Sequence, residues 1–212
     1  VTGTYVIPLD LGGGPLPPPS GPGNFVVKLD AGGNHVWSRG ISPTSSLYPA
    51  ADPAGNMVLV GMMNTSIDLG GGPLPHAGGW DLFVLKLGPT GTHIWSHSYG
   101  DGLNQGALGA AVDAGGNIFI GGVLWDSASI NLGGASLFGA GGLDIVLAKL
   151  DPDGNHVFSM RAGDSQDQIV FDVDVDPTGH PVAAGRFGGT VDFGTGPLTS
   201  WGYDIFVVKL QP

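Results

Sequence analysis

Apolar positions along the chain come in short runs, such as NMVLVG at 56–61 and YDIFVVKL at 203–210, and each run is bounded by glycine, proline, aspartate or asparagine. Runs of this length and β-branched content, closed by turn residues, predict β-strands. No stretch of useful length carries a helical period, so the pattern predicts an all-β chain.

The runs are copies of one another. FVVKLDAGGNHVWS at 25–38 returns as FVLKLGPTGTHIWS at 83–96 and VLAKLDPDGNHVFS at 146–159, then begins again as FVVKL at 206–210. The lysines of this motif, Lys28, Lys86, Lys149 and Lys209, are spaced by 58, 63 and 60 residues. A second motif reads DPAGNMVLVG at 52–61, DAGGNIFIGG at 113–122 and DPTGHPVAAG at 176–185. A third is DLGGGPL at 10–16 and 68–74, NLGGASL at 131–137 and DFGTGPL at 192–198. Three motifs keeping step in a fixed order establish a tandem repeat.

Each copy parses into four strands, a to d. A first strand such as ALGAAVD turns through Asp-x-x-Gly-Asn into NIFIGGV, because Asp and Asn organise tight turns and Gly accepts positive φ. After a linker holding the LGGGPL element, DIVLAKL turns through DPDGN into HVFSMR, a second hairpin. In this parsing the chain runs b-c-d, a-b-c-d, a-b-c-d, a-b-c, fourteen strands in copies at about 1–45, 46–105, 106–168 and 169–212. Tandem four-stranded units that cannot bury their own faces predict a β-propeller, one repeat domain of about three and a half blades. An inner a and an outer d strand lack counterparts and cannot replace each other. The chain therefore reads as part of a longer array, or as one that closes by association with other copies; a four-bladed closure with two three-stranded blades is one alternative, and open solenoid or fibre stacking a weaker one.

The pairing of AVDAGGNIFIGG with DIVLAKLDPDGNHVFS resembles the bacterial cell-surface β-propeller repeats known as SBBP, and more distantly NHL-type blades. That resemblance implies an exported or surface-attached bacterial protein and supplies no shared catalytic residues.

Composition narrows the rest. Forty glycines and seventeen prolines border on low complexity, but 42% hydrophobic residues in strand-like runs favour a turn-rich β protein over disorder. Seven basic against eighteen acidic residues, a net charge of −11, disfavour nucleic acid and anionic membrane. Without cysteine there is neither a disulfide framework nor a thiolate nucleophile. No run is long enough to predict membrane insertion.

Most polar residues recur at equivalent positions. His35, His93 and His156 share one place in three copies, which separates them by a repeat and reads as structural rather than metal-binding. The four lysines, mid-strand in apolar runs, are expected to carry their charge along the sheet to its rim. Trp37, Trp95 and Phe158 interchange, as packing aromatics do. The LGGGPL elements lack the Lys-Ser/Thr of a phosphate loop and read as turns. No G-x-S-x-G elbow accompanies the serines.

Two features are special to single copies. In VFDVDVD, Asp172 and Asp174 replace the Gly109 and Ala111 of the preceding copy, on the innermost strand, as a candidate calcium site. The b–c linkers and d–a crossovers fall at one end of the blades, opposite the tight turns, and hold Trp80, Trp125, Trp201 and Tyr203 as candidate ligand-binding aromatics, with Tyr48 and Tyr99 near the crossovers. PLPPPSGPG at 15–23 reads as a stiff surface loop. The expected function is a non-enzymatic, exported binding or adhesion module for a glycan or protein, without cofactor. Self-association into a surface layer or filament is the second reading, and a metal enzyme using Asp172 and Asp174 the third.

Overall fold

The computed structural model describes residues 1–19, 23–41 and 46–211, and among these no helix occurs. Part of the PLPPPSGPG stretch, residues 20–22, lies outside the described residues. In chain order the strands are β1 (Thr2–Tyr5), β2 (Leu9–Asp10), β3 (Pro15–Leu16), β4 (Gly23–Leu29) and β5 (His35–Ile41) in the first repeat. The second repeat holds β6 (Leu47–Ala51), β7 (Met57–Met63), β8 (Ile67–Asp68), β9 (Pro73–Leu74), β10 (Asp81–Leu87) and β11 (His93–Tyr99). The third holds β12 (Gln105–Val112), β13 (Ile118–Trp125), β14 (Ser129–Ile130), β15 (Leu137–Phe138), β16 (Leu143–Leu150) and β17 (His156–Ala162). β18 (Gln168–Val175), β19 (Pro181–Asp192) and β20 (Pro197–Lys209) complete the chain.

Each repeat makes one antiparallel sheet: β1-β4-β5 (sheet 1), β6-β7-β10-β11 (sheet 2), β12-β13-β16-β17 (sheet 3) and β18-β19-β20 (sheet 4). The three-, four-, four- and three-stranded sheets follow the b-c-d, a-b-c-d, a-b-c-d, a-b-c parsing. The LGGGPL elements, expected as turns in linkers, are short hairpins in their own right, β2-β3, β8-β9 and β14-β15; in sheet 4 the same hairpin is continuous with the ends of β19 and β20.

The sheets stack face to face in chain order. One face of sheet 1, with Val26, Trp37 and Ile41, packs on Leu59, Phe83 and Leu85 of sheet 2. The opposite face of sheet 2, Val58, Val60, Leu82 and Val84, packs on Ile118, Ile120, Val146 and Ala148 of sheet 3. Ile145 and Leu147 on the far side of sheet 3 pack on Ala183, Phe187 and Phe206 of sheet 4. Strand alternation is what permits this, since successive side chains leave the sheet on opposite sides and both sides here are apolar. The short hairpins of sheets 2, 3 and 4 insert into the junction on their own sheet's rear side: Ile67, Leu69 and Leu74 join the first junction, Ile130 and Leu132 the second, and Val191 and Phe193 the third. The first strands β6, β12 and β18 each form an edge of their sheet, and β12 packs on β6, β7 and β18. Sheets 1 and 4 are not joined by packing on the scale of the other junctions among the described residues.

Candidate functional site

The repeated polar residues build turns and junctions. The aspartates of the Asp-x-x-Gly turns accept the N–H four residues on, and Asp30, Asp113, Asp151 and Asp176 also the one two residues on; Asp30, for example, takes Gly32 N and Asn34 N, each at 2.8 Å. In the LGGGPL hairpins Asp10, Asp68 and Asp192 do the same for Gly12, Gly70 and Gly194. The histidines close these hairpins: His35, His93 and His156 contact Ser38, Ser96 and Ser159 through Nε2 at 3.0–3.1 Å. Their rings lie so close to Gly13, Gly71 and Gly134 that a Cβ on any of these would fall within 2.4 Å of Cε1. Glycine is required there because a ring, rather than an unusual φ, occupies the space.

Two of the four lysines end in the next sheet rather than at a solvated rim, while Lys209 stays exposed. Lys28 Nζ donates to the carbonyls of Gly55, at 2.7 Å, and Pro89, at 3.1 Å, in both tight turns of sheet 2. Lys86 Nζ donates to Pro152 O of sheet 3 at 2.7 Å. Trp37 and Trp95 donate their indole N–H to the same two proline carbonyls, at 3.0 and 3.1 Å. Each Lys-Trp pair therefore clamps the tight-turn end of the following sheet, a role invisible in a motif read one copy at a time. Lys149 instead lies 3.9 Å from Asp113 and 4.9 Å above the Phe119 ring. Lys209 pairs with Asp176, whose carboxyl it holds well below the usual carboxylate range, assisted by the His180 N–H and Thr178.

At the opposite end the crossovers dock onto the sheets. Trp80 bridges Asn104 in parallel, Gln105 N donates to Trp80 O at 2.7 Å, and Trp125 N donates to Asn104 O at 3.1 Å. The structure thus brings Trp80 and Trp125, both half-buried, to either side of one asparagine. One repeat on, Leu143 and Asp167 form the same bridge, and Tyr203 Oη donates to Asp167 at 3.0 Å. The Tyr203 ring also lies 4.6 Å from the Arg186 guanidinium. Trp201 stands fully exposed on β20, in sheet 4 rather than beside Trp80 and Trp125. Tyr99 is half-buried at the crossover, and desolvation pushes its hydroxyl up to about 12.

Asp172 and Asp174 share one face of β18, opposite Ala184 and Val182. Both are exposed, and the Oδ1 of each accepts the N–H of the next residue, at 2.9 and 2.8 Å. Among the described residues no group of three or more His, Asp or Glu is placed to hold a metal ion.

Two features escape motif reading. Along β20, Ile205 and Val207 are 84% and 74% exposed, whereas the residues at their places in the preceding sheets, Ile145, Leu147, Leu82 and Val84, are at most 3% exposed. Beyond the edge of β20, in the position that β17 takes in sheet 3, lies an apolar groove of about 610 Å³ lined by Lys149, Phe158, Met160, Phe193, Val208 and Leu210 among others. No known family model matches the chain, and no curated protein is significantly similar to it. Among the described residues no helix is long and apolar enough to cross a membrane.

Proposed function

We propose that this chain is a non-enzymatic, β-propeller-type repeat module that works by surface contact, and that its principal contact is with a second copy of itself. An exported or cell-surface setting is part of the proposal and rests on the resemblance to surface propeller repeats.

The observation that carries this reading is the open face of sheet 4. In sheets 1, 2 and 3 the equivalent face is covered by the rear side and the short hairpin of the next repeat. In sheet 4 Ile205 and Val207 face solvent, with Arg186 and Tyr203 beside them. Burying such side chains contributes about 1.5–3 kcal/mol each. The matching surface belongs to sheet 1. Its hairpin residues Leu9 and Leu11 are only half-buried, while their counterparts Ile67, Leu69, Ile130 and Leu132 are at most 4% exposed against the preceding sheet. Sheet 4 of one copy and the hairpin side of sheet 1 of another are thus complementary, a head-to-tail contact that generates a ring or an open filament. Analytical ultracentrifugation tests this. The chain is expected to associate with rising concentration and to become monomeric when Ile205 and Val207 are both changed to Glu. A wild-type chain that stays monomeric across the concentration range overturns it.

A second reading, glycan or protein recognition at the crossover end, is favoured by the convergence of Trp80 and Trp125 on Asn104. Two half-buried tryptophans whose main chains both bond one asparagine place aromatic residues at one end of the sheets, and aromatic residues suit sugar rings or a protein surface. A glycan array that loses its signal with Trp80→Ala and Trp125→Ala supports it, and an array without signal removes the glycan form.

A further inference from the structure

Sheets 2 and 3 each bury an aspartate at the start of their third strand, and the two copies differ in one telling respect. In sheet 3, Asp144 is fully buried; its Oδ2 accepts Ala140 N at 2.6 Å and its Oδ1 accepts Arg161 Nη1 at 2.6 Å. The same Nη1 donates to the carbonyl of Gly163 at 2.8 Å. Gln168 borders the pocket, since a Cβ on Gly163 would fall 2.3 Å from both Asp144 Oδ1 and Gln168 Oε1. A positive charge therefore sits on a carboxylate oxygen, beside a main-chain carbonyl and an amide oxygen.

One repeat earlier the oxygens are present and no side-chain cation is bonded to them; His76 acts on Asp81 only through space. Asp81 is 1% exposed, and its Oδ2 accepts Ala77 N at 2.6 Å. Gly100 and Gln105 stand where Gly163 and Gln168 stand, with a Cβ on Gly100 falling 2.1 Å from Asp81 Oδ1 and 2.7 Å from Gln105 Oε1. The place of Arg161 is taken by Ser98, whose hydroxyl turns away to donate to Pro75 O at 2.9 Å. Asp81 Oδ1 is left buried without a hydrogen-bond partner. A second carboxylate, Asp101, adds negative charge to the pocket but has its own oxygens occupied by Leu103 N, Gln105 Nε2 and Ser129. A buried, unpaired carboxylate oxygen is costly, and natural structures offset it with a donor or a cation.

We propose that a calcium ion takes the place of the Arg161 guanidinium in the Asp81 pocket. Asp81 Oδ1 is its charged ligand, Gln105 Oε1 and the Gly100 carbonyl are its neutral oxygens, and water fills the remaining positions on the exposed Gly100 side. An all-oxygen set favours a hard cation over zinc, which prefers nitrogen and sulfur. Calcium tolerates an irregular shell, whereas magnesium demands an octahedron and sheds its water reluctantly. With one direct carboxylate, the affinity belongs in the range of extracellular calcium modules, about 0.1–1 mM.

The test uses the full chain, first stripped with chelator. Calcium at about ten times the dissociation constant is expected to raise the melting temperature by about 3–5 °C. Terbium, as a luminescent calcium substitute, is expected to bind with emission sensitised by the adjacent Trp80. Asp81→Asn and Ser98→Arg are both expected to abolish the calcium shift, the second by supplying the charge within the chain as Arg161 does. No calcium shift in the wild-type chain, or an equal shift in Asp81→Asn, overturns the proposal and leaves Asp81 as a buried neutral acid. Neither result depends on whether the chain associates, so the proposal stands or falls apart from the function proposed above.

Discussion

The ammonium of Lys86 lies 2.7 Å from the carbonyl oxygen of Pro152, a hydrogen bond that leaves the middle of one sheet and ends in the tight turn of the next. Trp95 shares that acceptor at 3.1 Å. Lys86→Met keeps most of the buried stem while deleting the charge-assisted bond, and is expected to cost about 1.5–3 kcal/mol. Trp95→Phe, which copies the residue at Phe158, loses one neutral bond and some packing, about 1 kcal/mol. Urea unfolding of both variants checks the order; equal costs would mean that the clamp is only packing.

Gly71 and His93 predict a coupled pair. A Cβ at Gly71 would lie 2.3 Å from His93 Cε1, so Gly71→Ala is expected to destabilise by about 1–3 kcal/mol through overpacking. Removing the ring with His93→Ala vacates that space, and the double variant is expected to recover most of the Gly71→Ala penalty. A double-mutant cycle measured by thermal unfolding reads the coupling, and simple additivity would place the strain elsewhere.

Arg161 shields the carboxylate of Asp144, which burial otherwise pushes toward protonation. Arg161→Met leaves that carboxylate buried and uncompensated. The expected cost is about 2–4 kcal/mol, below the range for a wholly buried pair because Arg161 is itself 29% exposed. Asp144→Asn in the same background is expected to return much of the loss. Chemical denaturation at neutral pH measures both steps.

Asp176 predicts an acid limb to the stability profile. Its folded-state carboxyl is held below the unfolded value of 3.8, mainly by Lys209. For an acid with a depressed folded value, the unfolded chain binds more protons within the window, so stability is complete above 3.8 and is lost as the pH falls below it. Asp30 and Asp151, lowered chiefly by Asn34 and Asn155, act in the same direction. Melting temperatures between pH 5 and pH 2 are expected to fall less steeply in Asp176→Asn than in the wild-type chain.

Much of this architecture is legible in one dimension. The repeat period, the order of strands, the tight turns and the mismatch of terminal strands follow from spacing and turn chemistry, because strand length and hairpin closure are local properties. The aspartates of the turns behave as their motifs predict for the same reason, each bonding within four residues of itself. The short hairpins formed by LGGGPL were harder to see, since a two-residue strand leaves no periodicity to read.

What tertiary structure decided is which residues meet across a junction. Lys86 and Pro152 are 66 residues apart, and nothing in either motif says that one sheet's lysine reaches the following sheet's turn. The difference between Asp81 and Asp144 turns on Ser98 and Arg161, which come beside their aspartates only through strand register and the return of the crossover. Ile145 and Ile205 stand at the same place in the repeat, and the sequence alone treats them alike. One is covered by the next sheet and the other faces water, because burial belongs to the stack of sheets and not to the motif.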